Sequence, residues 1–298
     1  MLAETSLHGV EFINTSTMND REGSIPMQTD PTPYIDMNAL IEQLLSRIQE
    51  VLGKKLVGLY LYGSLVTGDF DHGSSDIDLL AAILSDIDEE EFAALQKMHD
   101  DFVHKNKQWN GRIEVAYLSV AGLKTYRSQL SKIAIISPGE PFHIKEAGND
   151  WLINWYTVRE KGIVLYGSSP KMLIDPISKD EYLHAVQRFI KAWCERIQQI
   201  HLRPSQAYAI LTMCRALYTL KNGEMVSKKQ AALWAEKELP EWFSLIQQAL
   251  FWREAWRNEH VDHDATLPET LRFVHFVISL CDNIPDVSRP DSDHHPII

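Results

Sequence analysis

The chain has 298 residues, 45% of them apolar and 23% charged, with 29 Lys and Arg against 41 Asp and Glu for a formal net charge of −12. That length and apolar share exclude a disordered chain and a stapled miniprotein, and they predict one or two domains with cores of their own. The acidic balance argues against non-specific binding to a polyanion, and Cys194, Cys214 and Cys281 lie too far apart to suggest a disulfide framework or a paired metal site.

Residues 1–37 are rich in Thr, Asp, Pro and Ser and poor in apolar periodicity, which predicts a flexible arm. The dispersed cysteines fit a reducing cytoplasm; no signal peptide is evident at the N-terminus, and no stretch approaches the ~18 continuous apolar residues of a membrane helix. From residue 38, NALIEQLLSRIQEVLG repeats Leu and Ile at helical spacing, with Gly53 placed to stop it. KLVGLYLYG and DIDLLAAIL read as buried strands, separated by a glycine-bearing turn. A helix with acids at its start and Lys near its end follows at 89–107. RIEVAYLSV alternates with period two. It places Arg112, Glu114, Ala116 and Leu118 on one face and Ile113, Val115 and Tyr117 on the other. NDWLINWYTVREKG predicts a helix capped by Asn149 or Asp150 and ended by Gly162, and GIVLYG a short strand.

From about residue 176 the period becomes helical throughout. Segments starting near 179, 205, 227, 240 and 266 are separated by turns containing Gly, Pro or Ser. Asn222–Gly223 and Ser227 read as caps, and Pro240 as a first-turn residue. The tail from 287, with His294 and His295, reads as frayed. The fold class expected is α+β, a mixed-sheet domain at 38–170 followed by an all-helical bundle at 171–298.

The densest chemistry lies in LYGSLVTGDFDHGSSDIDLL, residues 61–80. Asp76 and Asp78, two apart at a strand start, face the same side. Two such carboxylates repel unless a cation sits between them, and Mg²⁺ favours carboxylate and phosphate oxygens. Gly63 lets backbone approach an anion, while Ser64 and Ser75 offer hydroxyls. Together these parts suit a metal-bound nucleoside triphosphate. Neither a P-loop nor a dinucleotide fingerprint is present. Glu114 is a mid-strand acid that is costly to bury unpaired. It could join the metal cluster, take a proton from a hydroxyl, or form a salt bridge with Arg112 or Lys132. His72 reads as a turn residue, and Trp252 with Trp256 as a packing stripe.

YGSLVTGDFDHGSSDIDLL resembles the signature of the DNA polymerase β-like nucleotidyltransferases. Over residues 40–280, including LTMCRALYTLKNGEMVSKKQAALWAEKELP, the chain resembles the aminoglycoside 3''/9 adenylyltransferases, the streptomycin- and spectinomycin-modifying enzymes. The resemblance implies a cytoplasmic Mg²⁺- and ATP-dependent transferase of AMP to a small-molecule hydroxyl, a monomer or weak dimer with no nucleic-acid partner. It implies Gly63, Ser64 and Ser75 on the triphosphate, Asp76 and Asp78 on the metal, and Glu114 as catalytic base beside it. It also implies Arg215 and Lys228 on the phosphates. Read from the residues alone, Arg215 is equally a buried ion pair or a snorkelling arginine, and Lys228 a solvated residue at a helix start. The family's acids ahead of the arginine-bearing helix have no counterpart in LRPSQAY at 202–208, although Trp193 matches a family tryptophan. A transferase with a different acceptor, or a non-catalytic nucleotide-binding module, are the alternatives.

Overall fold

The computed structural model describes residues 30–254 and 262–284. Most of the expected arm, the tail with His294 and His295, and Trp256 lie outside the described residues. Residues 30–37, assigned to the expected arm, are ordered into the fold. Helix α1 spans Ile35–Leu52, and residues before it are already organised, with the Thr32 amide and hydroxyl both donating to Asn38 Oδ1 at 3.0 and 2.7 Å. Tyr34 packs on Phe70 at 5.2 Å between ring centroids, which gives this apolar residue a partner that composition alone could not supply.

The elements then run β1 (Leu56–Tyr62), α2 (Ser64–Thr67), β2 (Ile77–Ile83), α3 (Glu89–Lys105), β3 (Ile113–Ser119), α4 (Val120–Thr125), β4 (Ser131–Ser137), β5 (Glu140–Ala147), α5 (Leu152–Lys161), β6 (Ile163–Gly167) and α6 (Pro170–Leu173). The helical half follows with α7 (Lys179–Lys191), α8 (Trp193–Arg196), α9 (Arg203–Asn222), α10 (Lys228–Glu238), α11 (Phe243–Glu254) and α12 (Leu267–Asp282). Gly53, at φ 50°, ends α1, and Gly223, at φ 67°, ends α9. Ser227 and Gln230 form a reciprocal capping box on α10. The cap expected on α5 is different: Asp150 accepts the Gly148 amide at 2.8 Å, and the helix starts through a 3₁₀ turn at Asn149–Trp151.

The six strands form one mixed sheet in the order β5-β4-β3-β2-β1-β6. Only β2 and β3 are parallel neighbours; α3 provides their crossover. The β4–β5 hairpin was absent from the sequence expectation. Its turn is Pro138–Gly139, with Gly139 at φ 79°.

Alternation along β3 sorts as expected. Ile113, Val115 and Tyr117 enter a core beneath α1 and α3, whereas Ala116 and Leu118 enter the opposite core. That second core runs without a break from the sheet through Trp155 of α5 into α7, α9, α10, α11 and α12. Helix α9 is buried nearly all round, from Gln206 to Leu220, which makes it the axis of the bundle.

Candidate active site

The sheet places three polar residues in one row. Tyr62 of β1 is the register partner of Asp78 of β2, and Asp78 is the partner of Glu114 of β3. Neighbouring strands lie about 5 Å apart, so the two carboxyl groups come from adjacent positions on one face. Asp76, two residues before Asp78, joins that face from the strand entrance. The Tyr62 hydroxyl bridges the row by donating to Glu114 Oε1 at 3.0 Å.

Gly63 follows β1 at φ 75°, a conformation that favours glycine. A side chain there would also collide with the site, because a Cβ would stand 1.8 Å from Asp78 Oδ2. Ser64 then opens the single turn α2.

Burial and crowding set the protonation of the acids. Burial, then Glu114 and Asp76, push the Asp78 carboxyl up to about 8, against the pull of Lys228 and Arg215. Asp76 is raised by burial, opposed by Lys228, Arg112 and Arg253. Glu114 is raised chiefly by burial, with the Tyr62 hydrogen bond working the other way. Lys228 faces the mirror problem. Burial and the neighbouring Arg215 and Arg253 push its ammonium down to about 7, while Asp78 and Asp76 resist. The site residues named from both halves of the sequence thus act on one another electrostatically in the fold.

Lys228 is the first residue of α10, with its Nζ 4.0 Å from the Tyr208 ring centroid. Tyr208 in turn stands 6.0 Å from the ring of buried Trp193, whose indole N–H has no partner among the described residues. His72 sits edge-on to Tyr34 and Phe70 and 3.3 Å from Asp36, as a turn residue.

Arg112, suggested as a partner for Glu114, instead donates through Nε to the Ser75 carbonyl at 3.0 Å and stacks over Trp109 at 4.4 Å. Lys132 lies on β4, where its register partner across the hairpin is Glu146.

Three residues were not anticipated. Tyr62 orients Glu114, while Asp69 and Arg253 join the turn before Asp76 to α11 through a 3.0 Å ion pair. Arg253 also donates to the Asp69 carbonyl and to Ser75 Oγ, and Asp69 accepts the Lys229 amide at 3.1 Å. A lone arginine beside Trp252 on a mostly apolar helix was the available signal.

Among the described residues, no three His, Cys, Asp or Glu side chains form a ready-made metal cage. The donor set still suits Mg²⁺. Asp76 lies close enough to Asp78 to help raise its carboxyl, and this ion is usually held by one or two carboxylates with phosphate oxygens completing the shell.

Comparisons with known proteins agree in both halves. Residues 41–132 match the nucleotidyltransferase domain family, and residues 172–279 match the aminoglycoside adenylyltransferase C-terminal domain family. An aminoglycoside (3'') (9) adenylyltransferase of Escherichia coli is 25% identical over 271 residues, covering 80% of this chain and 95% of that protein. A protein of the same name from Rhizobium radiobacter is 28% identical over 120 residues, 39% of this chain and 43% of that one. The fold is similar, with a TM-score of 0.66, to the spectinomycin adenyltransferase AAD(9) from Enterococcus faecialis, crystallised with ATP and spectinomycin. That match has 16% sequence identity and covers 81% of this chain and 99% of the other.

Proposed function

We propose that this chain, which belongs to the aminoglycoside 3''/9 adenylyltransferase family, transfers AMP from ATP to a hydroxyl of an aminoglycoside-class small molecule and releases pyrophosphate. The observation that carries the reading is the row of Asp78 and Glu114 on adjacent strands, with Asp76 beside it and the charges of Lys228 and Arg215 acting on it from the helical half.

The labour divides between residues 38–170, which hold the acids, and residues 171–298, which bring the cations. Asp76 and Asp78 would hold Mg²⁺, with Glu114 beside it. The ion supplies positive charge against the growing negative charge on the phosphate oxygens. Gly63 admits the triphosphate to the backbone, and Ser64 and Ser75 donate to its oxygens. Glu114 accepts the proton of the acceptor hydroxyl as that oxygen bonds to the α-phosphorus. Its raised carboxyl makes it a stronger base than an exposed glutamate. The bond from the α-phosphorus to the bridging oxygen breaks, and pyrophosphate departs with both electrons of that bond, toward Arg215 and Lys228.

The acceptor side differs from the family pattern. Segment 202–208 carries Arg203, whose guanidinium stacks over Trp252 at 4.8 Å, and no acid. This favours, as a second reading, an acceptor with less positive charge than streptomycin. Mass spectrometry of reactions with Mg·ATP and a panel of streptomycin, spectinomycin and neutral polyols tests both readings. A product heavier by one AMP with an aminoglycoside supports the first, and one with the polyols alone supports the second. No adduct with any acceptor would leave a nucleotide-binding module.

A further inference from the structure

The hydroxyl of Ser75 is held by two donors from opposite halves of the chain. The Asp71 amide donates to Ser75 Oγ at 2.9 Å and Arg253 Nη2 donates at 3.1 Å. A serine hydroxyl has two lone pairs and one hydrogen. Both neighbours are N–H groups with nothing to accept that hydrogen. With its lone pairs engaged, the hydroxyl is left as a donor, and a phosphate oxygen is an acceptor only. Ser75 is 5% exposed and immediately precedes Asp76, so this polarity is fixed next to the acids.

We infer that Arg253 is a positioning residue that sets the Ser75 hydroxyl as a dedicated donor to the nucleotide's phosphates; this rests on the nucleotide reading above. The guanidinium is itself held on two sides. Nη1 meets Asp69 Oδ2 at 3.0 Å, and Nη2 reaches the Asp69 carbonyl at 3.0 Å. Asp69 is the hub, because the same carboxylate oxygen receives the Lys229 amide at the start of α10, next to Lys228. One half-buried acid therefore ties the serine's orienting arginine and the lysine-bearing helix start to the same turn. The job needs a planar fork with several N–H groups at fixed angles, which arginine has and lysine lacks.

Calorimetric titration with Mg²⁺ and a non-hydrolysable ATP analogue tests the inference in a double-mutant cycle of Arg253→Met and Ser75→Ala. Arg253→Met alone is expected to weaken binding about tenfold, the scale of a hydrogen bond to a charged group, and Ser75→Ala by a similar factor. Arg253→Met made in the Ser75→Ala protein should cost less than about twofold more. An equal loss in both backgrounds would mean that Arg253 touches phosphate itself or merely supports the fold, and overturns the inference. So does unchanged binding by Ser75→Ala. Arg253→Lys, which keeps the charge without the fork, should bind as weakly as Arg253→Met, and wild-type affinity in that variant overturns the geometric argument. Should Arg253→Met not fold, Arg253→Lys runs the same cycle. Wild-type protein that binds no nucleotide removes the functional reading and this inference together. Binding by the wild type without coupling in the cycle removes the inference alone.

Discussion

The sheet face and the helical half have opposite electrical troubles. On the row of β2 and β3, burial and then the neighbouring Glu114 and Asp76 carboxyl groups push Asp78 up to about 8. Across from it, burial and then the neighbouring Arg215 and Arg253 push the Lys228 ammonium down to about 7. Each side is poorly neutralised alone, and each is eased by the other and by what both would bind, a triphosphate with its metal. The site is thus an unfinished ionic lattice, and changes on the two sides should have different signatures.

The sharpest break of the comparison is on the acidic side. Glu114→Gln removes the proton acceptor but neither the metal-holding pair nor the phosphate donors. Transfer should fall about 10²- to 10⁴-fold with nucleotide affinity nearly intact. Single-turnover kinetics beside an ATP-analogue titration checks this, and unchanged turnover would strip Glu114 of its role. Asp76→Asn should act earlier, weakening Mg·ATP binding on the order of thirtyfold, because a neutral amide is a poor substitute ligand for Mg²⁺. An unaltered titration would remove Asp76 from the metal.

On the cationic side the change should appear in protons as well as affinity. Binding Mg·ATP at pH 7.5 should expel the proton from Asp78 and restore one to Lys228, so that the two exchanges should offset each other. Lys228→Met should weaken binding about tenfold and expose a net proton release. Calorimetry in buffers of different ionisation heats reads that release directly, and no difference from the wild type would mean that the two groups do not titrate as a pair.

The smallest effect is one of stability. Between the ordinary carboxyl value near 4 and about pH 8, folded Asp78 keeps a proton that the unfolded chain loses. The folded state therefore binds more protons there, and stability from this group declines as pH climbs through the window. Asp78→Asn avoids the decline. The ligand-free variant should gain ~1 kcal/mol near pH 7.5 and nothing near pH 3, read as melting temperature, although it should bind Mg·ATP poorly. Asp78 is half-buried as a residue, which keeps that gain modest.

Much of this was legible beforehand because strand alternation is a strict rule. Period two placed Glu114 opposite Ile113 and Val115, and the spacing of Asp76 and Asp78 put both on one face. The β4–β5 hairpin was not legible. Pro141 interrupts the second run, and Lys, Glu and His dilute its apolar face, so it did not read as a strand. The dipeptide Pro138–Gly139 was the cue that should have outweighed this. Asp69 and Arg253 were hidden for a different reason. Their bond spans 184 residues, and neither periodicity nor capping rules carry information over such a distance. The start of α1 moved forward because Tyr34 and Asn38 find tertiary partners in the turn and the preceding chain.

The apolar core that continues from Tyr60 and Leu118 through Trp155 to Val277 denies the two halves independent lives. Severed near residue 170, each fragment would present its portion of that surface to water, so neither should stay soluble by itself. Co-expressed, the fragments should reassemble, and the intact protein should melt as one cooperative unit in scanning calorimetry. Two separate heat-absorption peaks would mean that the seam is weaker than its packing.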